Sequence, residues 1–375
     1  MDIMLSHFTA LEAIRRQETR WILEKDRPAR THIMGNVPAE APTDGEVAAL
    51  LARSPLLAGL SRPLETLIPR GAGRRRSRLV KTHVCAQLIP EGSFLELAPG
   101  VRCVSPEHLV VQLAPLLSEL ELIVLLSELL GIYAVMPNVD GGMFQRRRPV
   151  TTRELIANHL DALGSFPGVA KVRRAMRHAC VGSGSPRETK LSLRLGLNPA
   201  RGGYGLDVLS MNAPLEVRRI HNMMKKGIRK PDILLRAPSG ATRNGRALLG
   251  AAVEYDGKDH ATEEAHQRDA ARHNELTAIG VVEYLVTKAQ YRDLAYMDGL
   301  VAQIRRDLGT PAKRKTRARA RRHRELRQEL YAELELIDGL NWNGLERARQ
   351  RAENNDEAPG NDGWETVPVE AYGLD

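Results

Sequence analysis

After a break at Val181-Gly-Ser-Gly-Ser185, the chain settles into a run of patterned segments that constrains its fold more than any other feature. Ser185-Pro186-Arg187-Glu188 opens a helix, with Ser as cap, Pro in the first turn and an acid near the positive helix end. That helix is predicted to reach about Gly196. Leu206 to Leu215 reads as a strand, Pro231 to Leu235 as a second, and Leu248 to Tyr255 as a third, broken by Gly257. Ala261 to Ile279 follows as a helix ending at Gly280. Val281 to Thr287 is a fourth strand, and Lys288 to Leu308 a last helix. The order is helix, three strands, helix, strand, helix, which makes this part of the chain α/β.

The rest of the 375 residues divides around that block. Residues 1–150 read as a mainly helical α+β region. Phe8, Leu11 and Ile14 share one face of a helix starting near Ser6, Leu79 to Leu88 and Val101 to Val104 look extended, and Ser105-Pro106-Glu107 opens another helix. Residues 151–183 form a helical connector, and a domain boundary is expected at 181–185. The block itself spans 184–309. A basic helical extension, 310–352, precedes an acidic tail, 353–375, expected to be disordered. The apolar stretch His108 to Met136 is interrupted by Pro115, Glu119, Glu121, Glu128 and Gly131, so it reads as a buried helical pair rather than the roughly 20-residue span a membrane needs. With no signal-peptide pattern at Met1 to Thr9, a soluble, cytoplasmic protein is expected.

Composition excludes some functions and permits others. Three cysteines, Cys85, Cys103 and Cys180, are too few and scattered for a disulfide framework or a zinc cluster. Aromatic residues at 4% argue against a protein devoted mainly to stacking bases. The formal charge of +9 is a sum of unlike parts: residues 313–327 hold nine Lys or Arg, whereas 353–375 hold seven acids and no Lys or Arg. A basic balance permits a polyanionic partner without naming one.

Chemistry concentrates at strand ends. Asp232 follows Pro231, and Glu254 and Asp256, two apart in Val253-Glu-Tyr-Asp-Gly257, project on one strand face. Converging carboxylates repel, so a cation must offset them or one must keep its proton. Mg²⁺ suits an all-oxygen site completed by water and a substrate phosphate. Glu188 rides the apolar stripe of its helix with Leu191 and Leu195, which is costly unless it reaches a partner or a site. His260 follows Gly257 closely, while Asp269 and Arg272 read as an intrahelical ion pair. Arg218, Arg219, Lys225, Lys226, Arg229 and Lys230 form a basic run that leads directly into Asp232, where a nucleic-acid phosphate would lie.

The element order and the pairing of Pro231-Asp232 with Glu254-x-Asp256 resemble the PD-(D/E)XK restriction-endonuclease-like superfamily. Glu254-Tyr-Asp256-Gly257 with His260, then Arg268-Asp269 with Arg272, looks like its very-short-patch-repair-like branch. A bacterial family of domain-of-unknown-function proteins within that branch carries the signature E-x-D-G-x-x-H followed by R-D-x-x-R. Ser6-His7-Phe-Thr-Ala-Leu, Lys81-Thr-His83 and Gly100-Val-Arg-Cys-Val-Ser-Pro106 are similar to patterns of an AbiEi antitoxin-type, winged-helix-like region. The resemblance covers about residues 5–309. It implies a restriction-endonuclease-like core and Mg²⁺- or Mn²⁺-dependent phosphodiester hydrolysis on DNA. Asp232 and Glu254 would be metal ligands, with Asp256 a further candidate ligand and catalytic residue, His260 an acid/base or phosphate-holding group, and Glu188 an auxiliary ligand. Asp256 stands where many superfamily nucleases place Lys. That departure keeps open a second reading, a non-catalytic DNA-binding regulator or antitoxin-type repressor that retains the nuclease fold. A third is an interaction protein working through its charged tail or N-terminal region.

Overall fold

Two short segments of the first hundred residues, Ile3–Leu5 and Leu64–Ile68, are fully buried, and each must pair on both sides to satisfy its backbone. A computed structural model describes residues 2–16, 37–87, 89–90, 92–146, 148–220, 222–243, 245–256, 263–311 and 316–356. In it, β1 (Ile3–Leu5), β2 (Leu64–Ile68), β3 (Val80–Val84), β4 (Phe94–Ala98) and β5 (Val101–Val104) form one mixed sheet in the order β3-β2-β1-β5-β4. Helix α1 (His7–Arg16) packs on it, and α2 (Asp44–Arg53) and α3 (Pro55–Ala58) precede β2. The region is α+β as expected, with two of the strands, β3 and β5, on the stretches that read as extended and three more beside them. Every residue of β1 and β2 is buried, so neither shows the polar–apolar alternation by which a strand is recognised in sequence.

The apolar stretch forms the helical pair α4 (Pro106–Leu113) and α5 (Glu119–Leu129), each opened by a serine cap, and then β6 (Tyr133–Val135), paired with β7 (Met143–Gln145). Among the described residues no helix is long and apolar enough to cross a membrane. Helices α6 (Arg153–Leu163) and α7 (Val169–Met176) follow. The glycine–serine break is not loose: Ser183 is fully buried, Gly182 N–H donates to the Leu130 carbonyl, and Ile132 N–H donates to that of Ser183.

Helix α8 (Pro186–Gly196) then leads to β8 (Val208–Ser210). A hairpin, β9 (Leu215–Arg219) and β10 (Asn222–Arg229), intervenes before β11 (Ile233–Arg236), and the small hairpin β12 (Thr242–Arg243) and β13 (Arg246–Ala247) before β14 (Gly250–Asp256). Helix α9 (Glu263–Ala278) connects β14 to β15 (Val281–Thr287). The sheet order is β15-β14-β11-β8, with β14 and β15 parallel and the other pairs antiparallel. Its two faces differ. Ile233, Leu235, Ala251 and Val253 join the main core, whereas Leu234 and Ala252 pack with Leu276 and Val281 in a small separate cluster. The chain is therefore mixed α/β, and its first expected strand is cut to three residues because Asn212 turns left-handed, at φ 50°.

The last expected helix splits into α10 (Lys288–Arg292) and α11 (Leu294–Asp307), because Asp293 leaves helical geometry to accept the Ala295 and Tyr296 N–H groups. Beyond it, α12 (Arg317–Leu336) and α13 (Gly344–Asp356) dock on the body. Arg187 meets Glu335 at 2.7 Å, and buried Glu121 accepts the Gly344 N–H at 2.7 Å. A side chain at Gly344 would collide with that carboxylate. Arg15, 7% exposed, donates to both oxygens of Glu128 at 2.8 and 2.7 Å and to the Gly339 carbonyl at 2.8 Å. The same Glu128 takes the Val135 N–H at 3.0 Å.

Removing either partner of that pair strands a buried charge. Arg15→Ala or Glu128→Ala is expected to lower unfolding stability by about 3–5 kcal/mol in chemical denaturation. A second expectation concerns acid. His108 is fully buried with Nδ1 3.1 Å from His159 Nε2, and burial, followed by the His159 charge, lowers its pKa to about 3. The unfolded chain therefore binds more protons below pH 6.5, and stability falls as pH falls through that window, by about 2 kcal/mol at pH 5 for this group. His108→Leu should flatten the decline measured by thermal melts between pH 7 and 5.

Candidate active site

Pairing of Ile233 with Val253 sets Asp232, just before β11, across from Glu254 on β14. Strand alternation turns Glu254 and Asp256 to the α9 face and Tyr255 to the other, where its ring meets Tyr291 edge-on at 6.0 Å. The Tyr255 N–H donates to Asp232 Oδ2 at 2.8 Å, and the Asp232 and Glu254 carboxyl groups stand close enough to perturb each other's charge. Burial, then the Asp232 charge, pushes Glu254 up to about 8. Asp232 is also raised by burial, against the pull of the Tyr255 N–H and the Arg272 charge. Both shifts favour one proton shared by the pair over two full charges.

Arg272, on α9, forms an ion pair with Glu254 Oε1, and its Nε lies 3.3 Å from Glu283 Oε1 on β15. It is therefore a site residue, where the sequence suggested only an intrahelical pair with Asp269. A usable signal was present: Arg272 lies four residues before the fully buried Leu276 and so rides the same helical stripe.

Glu188 owes its place to the start of α8. Ser185 Oγ accepts the Glu188 N–H at 3.1 Å, and the Glu188 carboxylate turns back to accept Gly184 N–H at 2.8 Å and Asn212 Nδ2 at 2.7 Å. Burial and the Asp232 charge raise its pKa, while those hydrogen bonds pull it down. The acid on the apolar stripe is thus satisfied as a cap and still faces Asp232 electrostatically. Asp256 ends β14 opposite Thr287. His260 lies outside the described residues.

Among the described residues no group of three or more His, Cys, Asp and Glu side chains is arranged to hold a metal ion. Asp232 and Glu254 together nonetheless fit Mg²⁺ or Mn²⁺, because Mg²⁺ takes one or two carboxylates and leaves its other positions to water and phosphate. Two neighbouring carboxylates, Glu254 buried and Asp232 partly buried, both with raised pKa values, are a donor pair whose repulsion a divalent cation relieves.

The basic run forms the β9–β10 hairpin, and alternation divides it. Val217, Arg219, Gly227 and Arg229 face inward, and Arg219 and Arg229 both reach Glu275 of α9, at 3.1 and 2.7 Å. Glu275 is 1% exposed and also accepts the Ile220 N–H. A side chain at Gly227 would overlap the Arg219 guanidinium, so glycine lets that arm cross. Arg218 and Lys226 project on the opposite face, with Lys226 3.0 Å from Glu216, and Lys225 and Lys230 are exposed. Exposed Met224 and Ile228 stand among them.

No family model, no curated protein and no solved structure matches this chain.

Glu275→Ala leaves two half-buried guanidinium groups without their shared anion, a loss of about 1–3 kcal/mol. Hydrogen exchange should quicken across residues 215–229 while β14 and β15 keep their protection. Unchanged exchange in the hairpin would show that Glu275 does not hold it.

Proposed function

We propose that the protein is a Mg²⁺-dependent DNA endonuclease of the very-short-patch-repair-like type, with a restriction-endonuclease-like core at 184–309. The observation that carries this reading is the Asp232–Glu254 carboxylate pair across adjacent strand ends, with Arg272 fixed on buried Glu254. Support also comes from the helix, three sheet strands, helix, strand and helix that follow Ser185, and from a basic hairpin that runs straight into Asp232.

Asp232 and Glu254 would hold the divalent cation, which when bound lowers the pKa of a water and offsets charge on the phosphate in the transition state. The Tyr255 N–H keeps the Asp232 carboxylate aimed at Glu254. Arg272 orients Glu254 and supplies a fixed positive charge, taking up part of the duty that a Lys in the Asp256 position performs in related nucleases. Glu188, held by Gly184 and Asn212, adds negative potential beside Asp232 without joining the ion pair. Arg218, Lys225, Lys226 and Lys230 would meet the DNA backbone, whose neutralisation makes binding salt-dependent.

Incubation of supercoiled plasmid with the protein and Mg²⁺ or Mn²⁺ should give nicked or linear product. Asp232→Asn and Glu254→Gln should each lower the rate by about 100-fold or more, equivalent to about 2.7 kcal/mol of transition-state stabilisation. Equal cleavage by both variants sinks the proposal. The regulator reading is favoured by one feature, the acid at position 256. It predicts salt-sensitive DNA binding that persists in chelator, with no cleavage by either metal.

A further inference from the structure

Strands β9 and β10 pair only with each other among the described residues, so their hairpin presents two open edges. A two-stranded ribbon is marginal by itself, and an open edge is a template for a further strand. The pairing is also uneven. Three residues lie between Asn222 and Lys226 on β10, and none between their partners Arg219 and Arg218 on β9. That bulge turns Met224 outward, to 87% exposure, and Ile228 and Ile220 of the same hairpin are 55% and 46% exposed.

Charge accompanies these apolar groups. Arg218, Lys225, Lys226 and Lys230 are exposed, against one exposed acid of the hairpin, Glu216, which Lys226 meets at 3.0 Å. Behind them Glu275 holds Arg219 and Arg229, so the ribbon is anchored from its inner side and its outer side is left to a partner.

The chain itself supplies a segment of matching chemistry. The described residues end with α13 at Asp356, and nineteen residues follow, with five acids and no Lys or Arg. Fully extended they span roughly 60 Å, nearly three times the ~21 Å radius of gyration of a compact chain of this length. Within them Trp364-Glu-Thr-Val-Pro-Val-Glu-Ala-Tyr372 joins two acids to residues that favour extended backbone. Pro368 lacks the N–H that a central strand needs and is tolerated in an outermost one. An added strand gains main-chain hydrogen bonds at an open edge, and its side chains set the specificity.

We propose that the outer side of the β9–β10 hairpin docks the chain's own acidic segment 357–375, laid along an open edge with its acids toward the lysines and Arg218. Docked there, the segment covers the cations that the nuclease reading assigns to the DNA backbone, so DNA must displace it. Only this competition rests on that reading, and the docking does not.

Zero-length carbodiimide cross-linking of the full chain joins a lysine amine to a carboxylate where the two meet. Mass spectrometry is expected to find Lys225, Lys226 or Lys230 joined to Glu365 or Glu370 within single chains. Hydrogen exchange at 222–229 should quicken about five-fold or more in a full chain carrying Asp362→Asn, Glu365→Gln and Glu370→Gln, and in the unaltered chain at high salt. Lys225→Gln with Lys230→Gln should reproduce that loss, and unchanged melting temperatures separate lost docking from lost folding. Exchange indifferent to the acid substitutions overturns the docking. Cross-links confined to covalent dimers overturn it too, and assign the surface to another copy of the chain. For the competition, duplex DNA binding is measured in chelator, without cleavage, and the acid-substituted chain should bind about ten-fold tighter at low salt. Equal binding by the two proteins overturns the competition. Binding by neither overturns the DNA reading, while cross-links and exchange still decide the docking.

Discussion

An antiparallel register sets Ile233 against Val253, and in doing so holds two carboxylates where neither can be fully hydrated or fully charged. Much of the surrounding electrostatics answers that constraint. Arg272 comes down from α9 to Glu254, and Glu283 on β15 holds the far side of its guanidinium. Three residues along α9, Glu275 sits under the β9–β10 hairpin and draws Arg219 and Arg229 inward. One helix thus ties the acidic pair to the basic hairpin. The hairpin and the acidic pair are parts of a single charge arrangement.

The extension that carries α12 and the start of α13 belongs to this body rather than trailing from it, while residues 357–375 of the acidic tail lie outside the described residues. Arg194 of α8 lies between Tyr291 and Tyr331, 4.6 and 4.9 Å from their ring centroids, and so clamps α10 and α12 onto α8. Glu121 caps the start of α13, and Arg15 reaches the Gly339 carbonyl. The main apolar cluster therefore runs from Ile3 to Ile337. The arginine-rich first half of α12 is largely exposed, while Leu330, Leu334 and Ile337 carry the buried contacts. A block charge and a core-facing stripe occupy one helix because a 3.6-residue period lets one end be solvated and the other packed.

Much of the C-terminal block was legible residue by residue. The serine cap and proline at α8, the strand Val281–Thr287 and the glycine stop at Gly280 all stand where local patterning puts them. The carboxylates Asp232 and Glu254 were legible too, because a two-residue period assigns a strand face without further help. What was not legible is informative. The basic run 218–230 concealed a hairpin, since its inward arginines carry charge where a strand face ordinarily carries apolar residues. Arg272 was read as a partner for its own helix, since local spacing weighs neighbours at i+3 and i+4 and is blind to a strand across the sheet. Strands β1 and β2 were missed because burial on both faces removes alternation, whereas β3 and β5 fall on stretches that read as extended.

By itself, then, the amino-acid sequence determined the α/β order of 184–309, most element boundaries there, and which acids stand at strand ends. These depend on local backbone preference and on periodicities of two and 3.6 residues, both readable within a short window. Only the tertiary structure decided which groups meet: Glu254 with Arg272, Glu275 with two arginines of the hairpin, Arg15 with Glu128 and Gly339, and Phe8 with Trp342 as a stacked ring pair. Those partners lie from 18 to 334 residues apart along the chain. Their pairing is set by burial and by how the layers stack, which no local pattern encodes.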